Sequence, residues 1–260
     1  MFTRAIATAI VRAPSASFAT GLTSVDLGQP DYDDALRQHG AYCRALEACG
    51  LELIRLPADE RHPDSTFVED TAIVTARGAV ITRPGAPTRR GEIDCIERKL
   101  REYYSDLKRI REPGTVDGGD VCEAGSHFFI GLSQRTNEAG AGQLAEILES
   151  WGYSSSLIDI RSLGNILHLK SGMAYLDGNR LVVTEALSRV TEFSSYELVH
   201  VNSAEEYAAN CLFINGRVLI AAGFPELRRQ IDEVNYPTID LDMSEFQKMD
   251  GGLSCLSLRF

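Results

Sequence analysis

The sequence has no hydrophobic run that could cross a membrane, because no apolar stretch approaches the roughly 18 residues that a spanning helix needs. Positive charge is also scarce. The 26 Lys and Arg residues stand against 37 Asp and Glu residues, which gives a formal net charge of -11. This balance argues against binding to nucleic acid and fits a cationic ligand better. No low-complexity linker or sharp change in composition divides the 260 residues.

Paired cysteine and histidine motifs are missing as well. The six cysteines show no CxxC spacing, the five histidines form no HxxxH pair, and no secretory signal comes before them. We therefore expect reduced thiols in a cytosol-like compartment, most simply the cytoplasm, and no metal site. The first 22 residues lack acids and carry Arg4 and Arg12, as transit peptides do. The stretch "AIATAIVRAP" is better interpreted as a first strand that leads into a serine-rich loop.

What the sequence does contain is one order of elements that recurs five times. A strand-like apolar run is followed by a mixed segment, which is polar at its start and apolar afterwards. The strand-like runs lie at 51–57, 107–113, 156–160, 196–201 and 237–242. The mixed segments lie at 67–74, 117–125, 167–176, 210–215 and 251–260.

In four of the five units, a third strand and then a helix are predicted after the mixed segment. These third strands lie at 79–84, 127–133, 180–184 and 217–223. Apolar spacing of 3.6 residues marks helices ending near Leu100 and Trp151, and another from about Asp31 to Cys49. Residues 5–11 would supply the third strand of the last unit, so the start of the chain would complete it.

This order predicts an α/β fold that forms a closed ring of five modules, each strand-strand-helix-strand, in one catalytic domain over residues 1–260. The alternative is an ordinary α/β sandwich with strands and helices in irregular order. In a ring, the polar starts of the five mixed segments would point to one axis. They carry the following side chains: Glu69, Asp70, Asp117, Asp120, His168, Asn210 and Cys255.

A cysteine, a histidine and several carboxylates at one centre suit nucleophilic attack on a cationic carbon. The thiolate is the reactive form, so a cation or a histidine near Cys255 is expected to favour it. A histidine can protonate a leaving amine, and carboxylates can pair with a planar guanidinium. Taken singly, His168 would also fit a buried core histidine, and Asp117 with its glycines a turn. Cys122 and Cys211 are interpreted as core residues.

Long segments over nearly the whole chain carry a family resemblance: "LPADERHPDSTFVED", "ITRPGAPTRRGE", "TVDGGDV", "FFIGLSQRTNEAGA", "LHLKSGM", "AANCLFIN" and "MDGGLSC". In these segments the sequence resembles the dimethylarginine dimethylaminohydrolases, within the wider guanidino-group-modifying superfamily. The resemblance implies a five-bladed α/β-propeller. It also implies hydrolysis of asymmetric dimethylarginine and monomethylarginine to citrulline and the methylamine, without a metal or organic cofactor.

The resemblance further implies roles for individual residues. Cys255 would be the nucleophile, His168 the general acid and later the general base, and Asp117 the group that orients His168. The substrate would lie among Leu22, Asp64, Phe67, Glu69, Asp70, Arg89, Arg135 and Met249. Of these, Arg89 and Arg135 would bind the α-carboxylate, and Leu22 and Met249 would act through their backbone.

The expected partner is thus a small cationic guanidino amino acid, with no nucleic acid and no membrane, and a homodimer through a blade face is compatible with such a ring. Two rival functions stay open. Arginine deiminases share the catalytic set but usually carry a helical insertion for which 260 residues leave no room. A non-catalytic binder of guanidino compounds would have no need to keep Cys255, His168 and Asp117 together.

Overall fold

Five small sheets, each of three strands, make up the β structure of the computed structural model, which describes residues 5–163 and 166–260. In every sheet the middle strand pairs antiparallel with the inner strand and parallel with the outer strand. The strands are β1 (Thr8–Arg12), β2 (Glu52–Leu56), β3 (Ala72–Val74), β4 (Ala79–Ile81), β5 (Leu107–Arg109), β6 (Val121–Ala124), β7 (His127–Leu132), β8 (Ser154–Asp159), β9 (Met173–Leu176), β10 (Arg180–Thr184), β11 (Glu197–Val201), β12 (Leu212–Ile214), β13 (Arg217–Ala221), β14 (Thr238–Leu241) and β15 (Leu258–Arg259).

The sheets follow one another along the chain, and the last one is closed by the chain start. Four sheets have the orders β3-β4-β5, β6-β7-β8, β9-β10-β11 and β12-β13-β14, and we call them blades 1 to 4. Blade 5 has the order β15-β1-β2, with Ala9 opposite Arg259 on one side and opposite Leu53 on the other. The predicted completion of the last unit by residues 5–11 is therefore confirmed.

Five clusters of buried apolar side chains close the ring, because each cluster lies between two consecutive blades. The middle strands are apolar on both faces and send alternate residues into two clusters, as strand geometry requires. In β7, for example, Phe128 and Ile130 face blade 1, whereas Phe129 faces blade 3. In β1, Ile10 faces blade 1 and Val11 faces blade 4. The predicted closed ring of five modules is therefore confirmed, and the alternative of an irregular α/β sandwich is wrong.

Helices on the outside of the blades follow the sequence prediction at most positions. They are α1 (Tyr32–Ala48), α2 (Ile93–Leu100), α3 (Glu138–Ser150), α4 (Pro225–Glu233) and α5 (Ser244–Gln247). The side chain of Asp31 caps α1 by accepting the N–H of Asp34 at 2.9 Å. Gly50 and Gly152 follow α1 and α3 with φ of 91° and 77°, the left-handed conformation that glycine favours. Among the described residues, none of the helices is both long and apolar enough to span a membrane.

The prediction of a helix after the third strand of blade 3 is wrong. Two 3-10 turns, Glu185–Leu187 and Thr191–Phe193, replace it. Leu187, Val190 and Phe193 pack into the core at intervals of three residues, which is the period of a 3-10 helix. The physical reason is length, because residues 185–196 barely suffice to cross between two parallel strands.

Candidate active site

A short 3-10 turn ends immediately before the inner strand of every blade or one to two residues earlier, so five equivalent turns surround the axis. They are Val68–Thr71, Gly118–Asp120, Leu169–Ser171, Glu206–Ala209 and Ser254–Leu256. Hydrogen bonds join them across the blades. The N–H of Gly119 donates to Asp70 at 2.8 Å, the N–H of Leu169 donates to Asp120 at 3.0 Å, and Ser254 Oγ donates to Glu69 at 2.7 Å. The expected convergence of polar side chains is confirmed.

His168 is held by a carboxylate from the neighbouring blade. Its Nε2 lies 3.1 Å from Oδ2 of Asp117, and the N–H of Gly85 donates to Oδ1 of the same carboxylate at 2.8 Å. Asp117 is fully buried and His168 nearly so. The carboxylate thus has both oxygens engaged and fixes the orientation of the imidazole ring.

The surroundings of His168 favour its charged form. Burial alone would lower the pKa, but the nearby carboxylates of Asp70, Asp120 and Asp117 outweigh this and raise the pKa of His168 to about 9. The imidazole therefore carries a proton at neutral pH. A protonated histidine at this position is ready to give that proton to a leaving amine.

Asp120 is bound by two hydroxyl groups and by the turn that follows His168. Ser133 Oγ and Thr136 Oγ1 both donate to its Oδ2, at 2.7 and 2.6 Å. Burial raises the pKa of Asp120 to about 6, although the charge of His168 and the two hydroxyls act in the other direction. With Leu169 bound to its other oxygen, this carboxyl anchors the turn that carries His168.

Cys255 lies half-buried in the turn Ser254–Leu256, and the N–H of Gly252 points to its sulfur at 3.4 Å. Burial, followed by the carboxylates of Glu69 and Asp70, raises the pKa of Cys255 to about 12. The expectation that a neighbouring cation or histidine holds this cysteine as a thiolate is therefore wrong for the protein by itself. The carboxylates outweigh Lys170, and the sulfur keeps its proton.

Two of the predicted substrate-binding carboxylates, Asp64 and Asp70, lie near Arg89. Asp64 accepts the N–H of Leu22 at 2.9 Å, and burial raises its pKa despite the nearby charge of Arg89. Asp70 pairs with Arg89 at 2.5 Å; burial opposes ionisation, but the charges of His168 and Arg89 lower its pKa to about 2.

Glu69 has partners of its own. It is bound by Lys170 Nζ at 2.6 Å, Arg259 Nη2 at 3.2 Å and Ser254 Oγ at 2.7 Å. These partners were not predicted, because Lys170 and Ser254 lie 101 and 185 residues from Glu69 along the chain.

The two predicted arginines differ in how far they are already engaged. Arg89 is buried, and its Nε and Nη2 donate to Glu92 at 3.0 and 2.8 Å. Its Nη1 donates one hydrogen to Asp70 and keeps a second, which has no partner among the described residues. Arg135 is half-buried, and its charge lowers the pKa of Asp64, so it lies near that carboxylate. Glu92, three residues after Arg89, was missed, although this i,i+3 spacing of opposite charges is a recognisable signal.

Apolar and backbone groups complete the enclosure. The ring of Phe67 packs against Gly251 so closely that a side chain there would collide with it. Gly21, next to Leu22, lies against Asp64 and the methyl group of Met249, where a Cβ would be 2.5 Å from Oδ1 of Asp64. The predicted residues Leu22, Asp64 and Met249 are thus brought together on the same side of the axis.

The arginine deiminase family matches residues 60–222. An N(G),N(G)-dimethylarginine dimethylaminohydrolase from Pseudomonas aeruginosa is 47% identical over 252 residues, which are 96% of this chain and 98% of the relative. The chain belongs to the dimethylarginine dimethylaminohydrolase family.

Solved structures of the family agree with the fold. A cysteine-to-serine variant of the Pseudomonas aeruginosa enzyme, complexed with citrulline, has a TM-score of 0.96 and 45% identity, covering 99% of this chain and all of that one. A histidine-to-glycine variant of a dimethylarginine dimethylaminohydrolase, an adduct with S-methyl-L-thiocitrulline, has a TM-score of 0.95 and 46% identity, covering 98% and 100%. The predicted five-bladed α/β-propeller is confirmed.

One cluster has ligand atoms close enough to hold a metal ion among the residues that the structure describes. Atoms of Asp70, Asp117 and His168 all lie within 4.8 Å of one another. Each of these side chains is already engaged by protein groups, because Arg89 and Gly119 bind Asp70 and His168 binds Asp117. A metal also needs a neutral imidazole, whereas the pKa of His168 is raised by its neighbouring carboxylates against the effect of burial. The donor set fits proton transfer better than metal binding.

Proposed function

We propose that this protein hydrolyses Nω,Nω-dimethyl-L-arginine and Nω-monomethyl-L-arginine to L-citrulline and the corresponding methylamine. The observation that carries the proposal is the grouping of three elements around one axis. These are a half-buried thiol at Cys255, a histidine paired with a fully buried Asp117, and carboxylates that match a guanidinium cation. The captured adduct of a family member supports covalent chemistry.

The first step is activation of Cys255 by the substrate itself. Because Glu69 and Asp70 raise the pKa of the thiol, a guanidinium bound beside them offsets their charge and lowers that pKa. His168 is already protonated, so the thiol gives its proton to solvent, and the thiolate attacks the guanidinium carbon to form a neutral tetrahedral adduct. Asp64 and Asp70 hold the cation, while Arg135 and the second Nη1 hydrogen of Arg89 bind the α-carboxylate.

The remaining steps use His168 as a single proton carrier. As the bond between the guanidinium carbon and the methylated nitrogen breaks, His168 protonates the departing amine and becomes neutral. A thiouronium remains on Cys255. Neutral His168 then takes a proton from water, and the water oxygen attacks the same carbon. The C–S bond breaks as the remaining hydroxyl proton passes to the sulfur, which releases citrulline and restores the Cys255 thiol. Asp117 keeps the imidazole ring of His168 in place and stabilises its charged form, both before the proton is donated and after it is taken up again.

A second candidate, hydrolysis of unmethylated arginine, is favoured by the match to the arginine deiminase family over residues 60–222. Both functions use the same nucleophile and the same acid. They differ in the room around the leaving nitrogen, which must accept two methyl groups in one case and none in the other.

The test is citrulline release from dimethylarginine, monomethylarginine and arginine at equal concentrations. Release from the methylated substrates, with arginine at least about tenfold poorer in kcat/KM, supports the proposal; that ratio corresponds to about 1.4 kcal/mol of discrimination. Equal or faster release from arginine would instead assign the protein as a deiminase. No release from any of the three would contradict both functions.

We also propose that residues 1–260 act as one cooperative catalytic domain, since each apolar cluster needs two blades. The cytoplasm is the compartment that suits all six cysteines, which are free. Arg4, which suggested a targeting segment, lies outside the described residues. A homodimer remains a prediction, and sedimentation velocity would test it.

A further inference from the structure

Asn210 is the contribution of blade 4 to the centre, and the mechanism above gives it no role. It ends the turn Glu206–Ala209 and is only 7% exposed. A buried amide needs partners for both its oxygen and its nitrogen, because an unpaired polar group in the interior is costly. The positions of those partners indicate what the residue does.

The amide of Asn210 binds the turns of two other blades. Its Oδ1 accepts the N–H of Ser254 at 2.9 Å, and its Nδ2 donates to Ser254 Oγ at 3.0 Å. The same nitrogen donates to the carbonyl oxygen of Lys170 at 2.8 Å. Ser254 immediately precedes Cys255, and Lys170 comes two residues after His168. One side chain therefore ties the nucleophile's turn to the histidine's turn.

A second residue of the same turn binds the other end of the cysteine segment. The hydroxyl of Tyr207 donates to the carbonyl oxygen of Gly251 at 2.8 Å. Between the two contacts, Gly252 lies so close to Asn210 that a Cβ there would be 2.5 Å from its Oδ1. Tyr207 and Asn210 thus grip residues 251–254 at both ends, and we call this pair the blade-4 clamp.

The position of the sulfur depends on this gripped segment. The N–H of Cys255 donates to the carbonyl oxygen of Gly252 at 3.2 Å, and the N–H of Gly252 points back to its sulfur at 3.4 Å. The network continues from Ser254 to Glu69, one of the two carboxylates that raise the thiol pKa. A shift of residues 251–254 would therefore move the sulfur relative to both His168 and the carboxylates.

We propose that Asn210 and Tyr207 are positioning residues, which hold Cys255 at the distance and angle that attack requires while tying its turn to that of His168. This inference rests on the proposed function, because it assigns these residues to the attack of Cys255. The two residues act through the backbone and Ser254, without a part in proton transfer. A misplacement of about 1 Å can cost about 10²-fold in rate.

The expected signature is a loss in kcat with little change in KM. Asp64, Asp70 and the two arginines assigned to substrate binding lie in other blades, and among the described residues none of them has a hydrogen bond to Asn210 or Tyr207, while Glu69 is reached only through Ser254. Asn210→Ala should lower kcat by about 10²-fold and leave KM within about threefold, the pattern of an interaction that matters at the transition state. Asn210→Asp keeps the shape and the acceptor for the N–H of Ser254 but loses both donors, so we expect it to fail to restore kcat. Tyr207→Phe removes one hydrogen bond and should have a smaller effect.

The experiment compares these variants with Asn215→Ser. Asn215 also bonds through its amide to distant backbone, at Ile6 and Cys49, but at the junction of blades 4 and 5 away from Cys255. For each protein, kcat and KM for dimethylarginine and the melting temperature are measured. The rate of alkylation of Cys255 by iodoacetamide is measured as well, with Cys95→Ser as background, because Cys95 and Cys255 are the cysteines that are not fully buried.

If Asn210 and Tyr207 hold Cys255 in place, the two rates should change in opposite directions. In the Asn210 variants kcat falls, while alkylation of Cys255 accelerates because the turn Ser254–Leu256 is no longer held and its sulfur becomes more exposed. The inference is overturned if Asn210→Ala matches Asn215→Ser in both rates, or if Asn210→Asp recovers wild-type kcat. Absence of turnover in the wild-type protein would instead contradict the proposed function. In that case, unchanged alkylation of the Asn210 variants would still refute the clamp.

Discussion

Replacing Asp117 by Asn tests whether the carboxylate sets the proton affinity of His168. Asp117 accepts hydrogen bonds on both oxygens, from Gly85 and from His168, whereas an asparagine side chain has one acceptor oxygen. The variant therefore loses one of these two contacts as well as the negative charge. The volume of the side chain is nearly unchanged, so the cavity that surrounds it is kept.

The magnitude follows from the pKa of His168, which rises from an ordinary value of 6.5 to about 9. At 1.36 kcal/mol per unit, the folded protein favours the imidazolium by about 3 kcal/mol. Burial opposes this, and Asp117 is one of three carboxylates that supply it. Removing a charge at hydrogen-bond distance should lower the pKa of His168 by at least about one unit.

The sign of the pH effect is fixed by this direction. A group with a raised pKa is charged below that value, so the acid form of His168 is present up to about pH 9 and is lost above it. In Asp117→Asn, the alkaline limb of kcat should move to lower pH by about one unit or more. The kcat near neutral pH should fall by about 10²-fold, the lower end of what general acid catalysis contributes.

The assay is a pH profile of kcat for citrulline release, with Asp59→Asn as the matched control. Asp59 lies 3.1 Å from Nδ1 of His62, the same separation as the pair at the centre, but outside the five turns. The control should leave the profile unchanged. An alkaline limb that stays in place in Asp117→Asn would refute the role assigned to the carboxylate.

Three further changes test separate parts of the account. Gly119→Ala would place a Cβ 2.8 Å from Cγ of His168 and 3.1 Å from Oδ1 of Asp70. We therefore expect kcat to fall by about 10²-fold while the circular dichroism spectrum stays native. A fully active variant would contradict the close packing of this centre. Arg135→Met should raise KM about tenfold with kcat largely kept, since it removes a charge-assisted contact to the α-carboxylate. Arg135→Lys should recover part of the lost affinity, and an unchanged KM in Arg135→Met would show that Arg135 does not bind the substrate. Asp31→Ala removes the cap of α1 and should cost about 1 kcal/mol in the free energy of unfolding without loss of kcat; urea unfolding would measure it, and an unchanged midpoint would show that the cap is dispensable.

Local pattern was enough to predict the ring. The five mixed segments repeat polar starts and apolar ends, and the apolar middle strands indicate burial on both faces, as found for Phe128 and Phe129. The error in blade 3 arose where length, rather than apolar periodicity, decides between a helix and 3-10 turns. Glu69 and Asp70 were already among the converging side chains, whereas the roles of Arg89 and Arg135 came from the family resemblance alone.

What the sequence could not provide is pairing between distant residues. Lys170 and Ser254, which lie next to or near His168 and Cys255 in the sequence, both bind Glu69 from other blades, and no local pattern indicates these contacts. The pKa of Cys255 depends on the same arrangement, because it is the sum of burial and of charges delivered by separate blades. The sign of that shift therefore became visible only once the blades were placed around the axis.

Covalent catalysis by Cys255 is tested by citrulline release from dimethylarginine in the Cys255→Ser variant, beside Cys95→Ser as a control for loss of a half-buried thiol. If Cys255 is the nucleophile, Cys95→Ser turns over like the wild-type protein and Cys255→Ser releases no citrulline above the uncatalysed rate. Turnover by Cys255→Ser at a rate comparable to the wild type would contradict covalent catalysis by this cysteine.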